Sequence, residues 1–577
     1  MNLAERGHSL EWSSSRFMWA SSSSLLIGVA MLAGCTGNIE GNGAATGGSA
    51  GLPSGAAGTT GAGAATGVVE QGNTSPDGVG WATRFPKLSN AQWEASVVDL
   101  FYLAEPTGLS QTFTPERADG GYDNQAAATQ TVSGDAWVRY QQAAEEVAKR
   151  VTADASLLAK LVPAGAPADA AGKARATIVD LGLRTYRRPL TEQEVSAYQA
   201  LFDKGAALDK ADAFRGGMTL MIQTLLQSPF FLYRVEGSVQ PDGNRIWLSG
   251  YEVATRLAYA VWNTTPSREL LAAAAAGQLT SADGVKSMAM SMLDDPRAAN
   301  MLQRFHEQTF HTSGYGSQSK DARFNFDSVA LTPVLQEESR RFFADIAAEG
   351  GGIRQILTKP VAYVNEQTAL FYGLTGVTGS EVRRVDLDPA RRAGLLMQLG
   401  YLSQTANRTL TDPVHRGLGI LKEVLCDDPD PPPPINIQTP TVPVGATTRE
   451  TYEKATACGV GCHDTLINPP GFAFEHFDAV GRWRDDEDGL TIDVSGRFGA
   501  RVGWSQEAKR VNAPIFLEFD GAVDLVKQLA ELDRTHECYA RHLLEFVLAK
   551  PVSPTRCKRR APMAPAKGMD SSNGARA

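Results

Sequence analysis

Two cysteines followed directly by a histidine are the residues of this chain best suited to chemistry. They lie in "ATACGVGCHDTLINPPGFAFEHFDAVGRWR", where three residues separate Cys458 from Cys462 and His463 comes next. In c-type haem attachment, two cysteine thiols form thioethers with the porphyrin and the adjacent histidine binds the iron, in the usual order C-x-x-C-H. The spacer here is one residue longer, but Gly459 and Gly461 make it supple enough for both sulfurs to reach the porphyrin. We therefore predict haem c on Cys458 and Cys462, with His463 as an iron ligand.

Two other interpretations of these cysteines remain open. Cys458 and Cys462 could form a disulfide if the protein is exported to an oxidising space. They could also bind zinc together with His463 and either Cys426 or His476, because cysteine and histidine are the usual zinc ligands.

A haem iron bound by one histidine has a second axial position. Residue type and position along the chain make Met397, His415 and His476 the candidates for it. Each also has a structural interpretation. Met397 lies in the apolar stretch "GLLMQLGYL", where methionine usually fills a core, and His415 stands at a predicted helix start.

Composition narrows the class of protein. The chain has 577 residues, a net charge of -9, 43% hydrophobic and 21% charged residues, which is typical of a folded multi-domain protein. The acidic balance argues against nucleic acid as a partner, since that would require basic clusters. Of the six cysteines, all but Cys35 follow residue 425, so we expect redox or metal chemistry near the C-terminus.

The N-terminus has the pattern of a processing signal. The apolar run "FMWASSSSLLIGVAMLAGC" ends in Leu32-Ala33-Gly34-Cys35, which resembles a bacterial lipobox. We predict a lipoprotein signal peptide over residues 1–35, lipidation of Cys35 and export. Because Thr36 is not aspartate, we expect an outer-membrane lipoprotein facing the periplasm or the cell surface. A plain secretory signal is the alternative.

Residues 36–80 are rich in Gly, Ala, Ser and Thr. Such a composition buries too little apolar surface to fold, so we predict a disordered tether. A flexible chain of this length has a typical reach of ~35–40 Å.

Beyond residue 81 the patterns predict a mostly α protein with few short strands. Capping boxes predict helix starts at Ser89, Thr191 and Ser249, and a helical apolar stripe follows Trp137. A further helix is expected to begin at Thr332-Pro333. Short strand-like runs occur at "RIWLSG" and "LTIDVSGRF", and "DPDPPPPINI" predicts an extended connector.

Several stretches in order resemble one bacterial family, the large secreted proteins of planctomycetes and myxobacteria that join five modules of unknown function. The stretches are "RFPKLSNAQWEASVVDLF", "LRTYRRPLTEQEVSAYQALF", "EVATRLAYAVWNTTPSRELLAAAAAGQL", "RRAGLLMQLGYLSQTAN" with "DPVHRGLGILKEVLC", and "ECYARHLLEFVLAKPVSPTRC". The resemblance implies helical modules at residues 81–155, 174–238 and 246–376, a cytochrome c-like module at 385–485, and a C-terminal module at 486–557. The resemblance implies no reaction, because none is known for this family.

The last module ends differently from the family pattern. It stops soon after its final cysteine and continues into a basic tail over residues 558–577, which we predict to be disordered. Because Cys538 and Cys557 both lie in this module, we predict a disulfide between them.

The sequence therefore predicts an exported, lipid-anchored protein with a mono-haem electron-transfer or redox module. Its partners would be a membrane, through the lipid anchor, and an unidentified redox or cell-surface protein. The alternative is a cofactor-free, disulfide-stabilised cell-surface scaffold or binding protein.

Overall fold

The computed structural model describes residues 84–116, 121–239, 241–242, 245–317, 319–427, 429, 440–456, 463–500 and 515–552. The predicted signal peptide with Cys35, the tether, the loop carrying Cys458 and Cys462, and the tail with Cys557 lie outside these residues. The described part is mostly α-helical with short antiparallel strand pairs, so the predicted fold class is confirmed. No helix in this part is long and apolar enough to span a bilayer.

One helix in each of the first two modules begins with a predicted capping box. The Ser89 hydroxyl accepts from the Gln92 backbone N–H, and the Gln92 side chain accepts from the Ser89 N–H, both at 3.1 Å. Thr191 and Glu194 form the same reciprocal pair. The helices are α1 (Asn90–Phe101), α2 (Asp123–Thr129), α3 (Gly134–Ala153), α4 (Ala155–Leu161), α5 (Ala170–Tyr186), α6 (Glu192–Leu208), α7 (Ala213–Gln227) and α8 (Pro229–Leu232).

One hydrophobic core, here called the first core, serves both of these modules. It extends from Leu88 to Leu232 and includes Tyr259 of the third module. The helical stripe of α3 is buried here at Tyr140, Ala144, Val147 and Val151, but Trp137 is 41% exposed.

The third module follows a two-stranded ribbon and begins at the predicted Ser249–Glu252 capping box. The sequence predicted that its long helix α12 begins at Thr332-Pro333, and this prediction is wrong. It begins at Ser328, because the Asp327 carboxylate accepts from the N–H groups of Val329 and Ala330. The elements are β1 (Pro241–Asp242), β2 (Arg245–Ile246), α9 (Gly250–Val261), α10 (Arg268–Ala275), α11 (Ala282–Leu293), the helix Pro296–Thr309, α12 (Ser328–Ala348), α13 (Ile353–Thr358), β3 (Val361–Val364), α14 (Glu366–Ala369) and β4 (Arg383–Asp386).

The remaining modules combine short helices with strand pairs. Strands β3 and β4 pair antiparallel with Val361 opposite Asp386, and β7 pairs with β8 with Ser495 opposite Asp520. The elements are α15 (Leu399–Gln404), α16 (Pro413–Gly419), a π-helical turn (Ile420–Val424), α17 (Thr448–Ala455), a second π-helical turn (His463–Ile467), α18 (Asn468–Phe472), β5 (Asp486–Glu487), β6 (Leu490–Thr491), β7 (Ser495–Ala500), β8 (Ile515–Asp520), α19 (Ala522–Glu531) and α20 (Asp533–Leu548).

A second core extends from Phe310 to Ala530. It joins the end of the third module to the cytochrome c-like module and to the C-terminal module. The predicted modules are therefore not independently packed units, because each large core crosses at least one boundary between them.

Candidate functional site

The imidazole of His463 is held by a neighbour five residues further along the chain. Its Nδ1 lies 3.0 Å from Oδ1 of Asn468, and Nδ2 of Asn468 donates to the Thr456 hydroxyl at 2.8 Å. Because the amide nitrogen of Asn468 is engaged with Thr456, its oxygen is the acceptor and His463 carries its proton on Nδ1. The lone pair is then on Nε2, for which the described residues provide no hydrogen-bond partner.

This arrangement is the one that metal-binding histidines usually have. Their second ring nitrogen donates to an oxygen, which fixes the tautomer and the ring orientation. Asn468 is 1% exposed and Thr456 donates in turn to the Tyr452 carbonyl at 2.6 Å, so the support is itself anchored to α17. The residues present therefore fit a haem iron ligated by Nε2 of His463. Sequence reasoning missed Asn468 and Thr456, although "CHDTLINPPG" places Asn468 one helical turn after the histidine.

The structure does not describe the loop of residues 457–462. The pairing or haem attachment of Cys458 and Cys462 therefore stays a prediction. Two cavities of the described part lie in the first three modules, beside Asp180 and beside Trp137, and His463 lines neither of them.

Two glycines bring α16 directly against the segment that carries His463. A Cβ on Gly417 would lie 1.7 Å from the Ile467 carbonyl oxygen, and one on Gly471 would lie 1.9 Å from the Pro413 carbonyl oxygen. Any side chain at either position would collide with backbone, so only glycine permits this crossing. The crossing brings the helix of His415 against the π-helical turn of His463.

His415 is held in the same manner as His463. Its Nδ1 lies 2.7 Å from Asp412 Oδ2, and this hydrogen bond raises the pKa of His415. Asn407 donates both to Asp412 and to the Tyr452 hydroxyl, each at 3.1 Å. A hydrogen-bonded chain through α17 therefore connects the supports of the two histidines. The His415 side chain is 72% exposed, and its Nε2 has no partner among the described residues.

The other two candidates for the second axial position have structural contacts. Met397 is 1% exposed in the second core, and its sulfur accepts from the Ala393 backbone N–H at 3.2 Å. The Nδ1 of His476 lies 2.9 Å from the Arg484 carbonyl, and its ring stacks on Trp483 at 4.6 Å. Met397 therefore has the contacts of a core residue, and His476 has those of a turn residue. His415 is the candidate whose side chain is mostly exposed.

A buried ion pair lies beneath the site. The Arg416 and Glu475 side chains are 2% and 1% exposed and lie 3.8 Å apart. Glu475 also accepts from Thr411 at 2.8 Å and from Arg484 at 3.1 Å. Burial raises the pKa of Glu475, whereas the two arginines act in the opposite direction. Since a buried charge without its partner is costly, this network fixes α16 against the segment after α18.

A second carboxylate anchors α17. Glu487 accepts from the Thr448 backbone N–H at 3.0 Å and from the Thr448 hydroxyl, and it lies 3.1 Å from Arg484. This contact sets the start of α17. Tyr452 and Thr456, one and two turns later, are thereby placed to support the two histidines.

The disulfide in the described part joins Cys426 to Cys538 across 112 residues. The predicted Cys538–Cys557 bridge is wrong, because Cys538 is already bonded. Helix α20 packs on the Ile420–Val424 turn, which brings Cys538 to Cys426 in the first half of the cytochrome c-like module. His542 Nε2 lies 3.5 Å from the Cys426 sulfur. The zinc interpretation loses Cys426 as a ligand, because its sulfur is used here.

Comparison with family models gives four matches in chain order. Residues 87–153 match a protein of unknown function (DUF1587), and residues 173–236 match DUF1595. Residues 248–374 match DUF1592, and residues 392–487 match DUF1588, a model with the cytochrome-type label PSCyt3. The longest match covers less than a quarter of the chain. No curated protein and no solved structure matches significantly.

The chain therefore contains four consecutive modules of this multi-module type, and the fourth is of the cytochrome c-like kind. The prediction of these four modules is confirmed. The fifth module, at the C-terminus, stays a prediction.

Proposed function

We propose that this chain is an exported, lipid-anchored protein whose fourth module carries one covalently attached haem c and transfers electrons to or from a partner. The observation that carries this proposal is the support of His463 by Asn468. It leaves Nε2 with the lone pair that an iron ligand needs, directly after the cysteine that would bear the second thioether.

Haem, when bound, would supply a reversible one-electron iron couple. The role of the protein itself would be to hold and orient the haem. Asn468 would keep the His463 ring in one tautomer, and the glycine crossing would keep α16 against the same segment. His415 would be a further residue able to hold the iron.

Two further observations support export. The Cys426–Cys538 disulfide is of the kind that persists in oxidising compartments. The lipobox-like sequence ending at Cys35 supports anchoring, and the acidic net charge supports a partner other than nucleic acid.

The haem proposal is tested on protein made in a host competent for haem attachment. We expect a Soret band that survives acid denaturation, and a peptide spanning residues 458–463 with the added mass of haem. His463→Ala should remove normal axial ligation, whereas His476→Ala should keep it because His476 is a turn residue. A colourless protein with Cys458 and Cys462 joined as a disulfide would refute the proposal.

The cofactor-free scaffold is the second candidate function. The feature that favours it is the continuity of the second core across three modules, locked by the Cys426–Cys538 bridge. Such a body presents a rigid surface without need of a cofactor. The colour of the purified protein separates the two candidates.

Lipid anchoring is tested separately in cells. Globomycin should cause the precursor to accumulate, and Cys35→Ala should move the protein from the membrane to the soluble fraction. Unchanged membrane partitioning of the variant would contradict anchoring.

A further inference from the structure

Helix α20 carries a cysteine and a histidine one helical turn apart. Cys538 and His542 are separated by four positions, so their side chains lie on the same face of the helix. That face packs on the Ile420–Val424 turn, and Cys426 follows this turn two residues later. The two sulfur atoms and a ring nitrogen of His542 all lie within 4.8 Å of one another. Thiolates and imidazoles are the usual ligands of zinc, so the cluster has the composition of a metal site.

The imidazole of His542 is oriented toward the sulfur atoms. Its Nε2 lies 3.5 Å from the Cys426 sulfur and 3.3 Å from the Lys422 carbonyl oxygen. Its Nδ1 faces the Glu545 carboxylate at 4.0 Å. Metal-binding histidines usually direct one nitrogen at the ion and donate from the other to an oxygen, often that of a carboxylate. Glu545 is itself held in place, because its Oε1 accepts from the Val552 backbone N–H at 3.0 Å.

The cluster is sheltered from water and suits a divalent cation. Cys538 is 3% exposed, and the side chains of His542 and Glu545 are 19% and 13% exposed. An isolated charge is costly at such a place. Two thiolates carry two negative charges, which a divalent ion neutralises, so the three groups and the ion together add no net charge.

We propose that Cys426, Cys538 and His542 bind a zinc ion when the disulfide is reduced. A dithiol reductant transfers two electrons and two protons, so that the dithiol becomes a disulfide and the two cysteines become thiols. Zinc then displaces both thiol protons and takes the lone pair of His542 Nε2, while the imidazole proton resides on Nδ1 beside Glu545. Three protein ligands leave the fourth tetrahedral position for water. The site is separate from His463 and depends on neither haem nor a lipid anchor.

The ion would join the same two segments that the disulfide joins. The disulfide connects the residue after the Ile420–Val424 turn to α20, across 112 residues of chain. Zinc binding and oxidation exclude one another, because a sulfur that ligates zinc must be a thiolate. Reduction in the presence of zinc would therefore leave the C-terminal helix linked to the cytochrome c-like module, whereas reduction without a metal would remove the link.

The test uses cobalt as a spectroscopic substitute for zinc. Residues 36–577 are made without a histidine tag, which leaves every described residue in place. The protein is reduced with a phosphine and titrated anaerobically with Co²⁺, because cobalt bound to thiolates absorbs in the near ultraviolet. Zn²⁺ is then added to displace the cobalt. Only the two cysteines of the cluster are kept, through the substitutions Cys458→Ser, Cys462→Ser and Cys557→Ser.

We expect the reduced protein to bind one equivalent of Co²⁺ with thiolate absorption, and the oxidised protein to show no such absorption. His542→Ala should weaken zinc binding at least about 10-fold, since loss of a ligand should cost no less than loss of its hydrogen-bond support. His536→Ala is the matched control, because His536 lies on the same helix and contacts the Ala530 carbonyl at 3.0 Å. Equal zinc affinity of the parent protein and His542→Ala would overturn the proposal, and so would absence of thiolate absorption in the reduced protein.

Thermal melts give a second measurement. Zinc should raise the melting temperature of the reduced protein, because an ion that binds only the folded state stabilises it. The variant Cys426→Ser/Cys538→Ser lacks both thiolates, so zinc should cause no shift in it. An equal zinc-induced shift in this variant would place the ion elsewhere and contradict the proposed site.

Discussion

Asn468 accepts a hydrogen bond from Nδ1 of His463 at 3.0 Å while it donates to Thr456 at 2.8 Å. One buried amide thus sets the tautomer of the histidine and connects it to α17. The contact spans only five residues, but its geometry depends on α17, which precedes the loop of residues 457–462. The site is therefore built from both sides of that loop.

The first prediction concerns this amide. Asn468→Ala should lower the unfolding free energy by about 1–2 kcal/mol, because half-buried polar groups of His463 and Thr456 lose their hydrogen-bond partner. In haem-loaded protein, it should weaken histidine ligation roughly 10- to 100-fold, measured by competition with added imidazole. Asn365→Ala is the control, since Asn365 is equally buried but caps α14 and contacts neither histidine. Ligation equally weak in both variants would contradict a specific role for Asn468.

The second prediction concerns the disulfide. Replacing both Cys426 and Cys538 by serine should lower the unfolding free energy by about 4–5 kcal/mol, because the bridge closes a very long loop in the unfolded chain. Denaturant melts measure the change. Non-reducing peptide mapping of the wild type should give the 426–538 pair, and Cys557→Ser should leave stability unchanged. A mapped 538–557 pair would contradict the structure.

The third prediction concerns the glycine crossing of α16 and α18. Gly417→Ala and Gly471→Ala should each destabilise the protein by about 1–3 kcal/mol or more, because the added methyl group meets backbone that cannot move aside. Thermal melts and the axial ligation of the haem protein should change together. Gly134→Ala is the matched control, since nothing lies within 4 Å of the new Cβ at this helix start. If all three variants melt alike, the crossing does not depend on glycine.

The fourth prediction concerns pH. Burial raises the pKa of Glu423 from its ordinary value of 4.5 to about 8, against the opposing hydrogen bond from Tyr401 at 3.1 Å. Between pH 4.5 and 8 the folded protein therefore binds more protons than the unfolded chain. The free energy of unfolding falls as pH rises from about 4.5 to 8, and Glu423 causes no further loss above about pH 8. At about 1.4 kcal/mol for each unit of pKa shift, the effect amounts to several kcal/mol.

Glu423→Gln removes that contribution. Glu423 also raises the pKa of Tyr401 and Tyr315, but both hydroxyls stay protonated throughout this pH range. The variant should gain stability relative to the wild type as pH increases from 5 to 9, measured by denaturant melts at each pH. A difference between the two proteins that is independent of pH would show that Glu423 does not titrate in this range.

Local patterns in the sequence were enough to predict where several helices begin. The boxes Ser89–Gln92, Thr191–Glu194 and Ser249–Glu252 are where the sequence predicted them. Their contacts span three residues, so no distant part of the chain decides them. The mostly helical class follows from the same kind of signal. The start of α12 was mispredicted because Asp327 and Thr332-Pro333 offer competing local starts, and the aspartate cap prevails.

The sequence also predicts the residues suited to chemistry, since Cys458, Cys462 and His463 are proposed from residue type and spacing alone. Their supports were not. Asn468, Thr456 and Asp412 are ordinary polar residues until the chain folds, and only the crossing at Gly417 and Gly471 brings the two histidine-bearing segments together. Close contact between two backbones leaves no periodic pattern in the sequence, so this packing could not be predicted from it.

Pairing over long distances was decided by tertiary structure alone. Sequence proximity favoured Cys538 with Cys557, but α20 packs on the turn after α16 and brings Cys538 to Cys426 instead. Residue types and local spacing were enough to predict which groups could serve for haem attachment and lipid anchoring. The folding of distant segments onto two shared cores decided which of those groups meet, since contacts between them depend on the path of the whole chain.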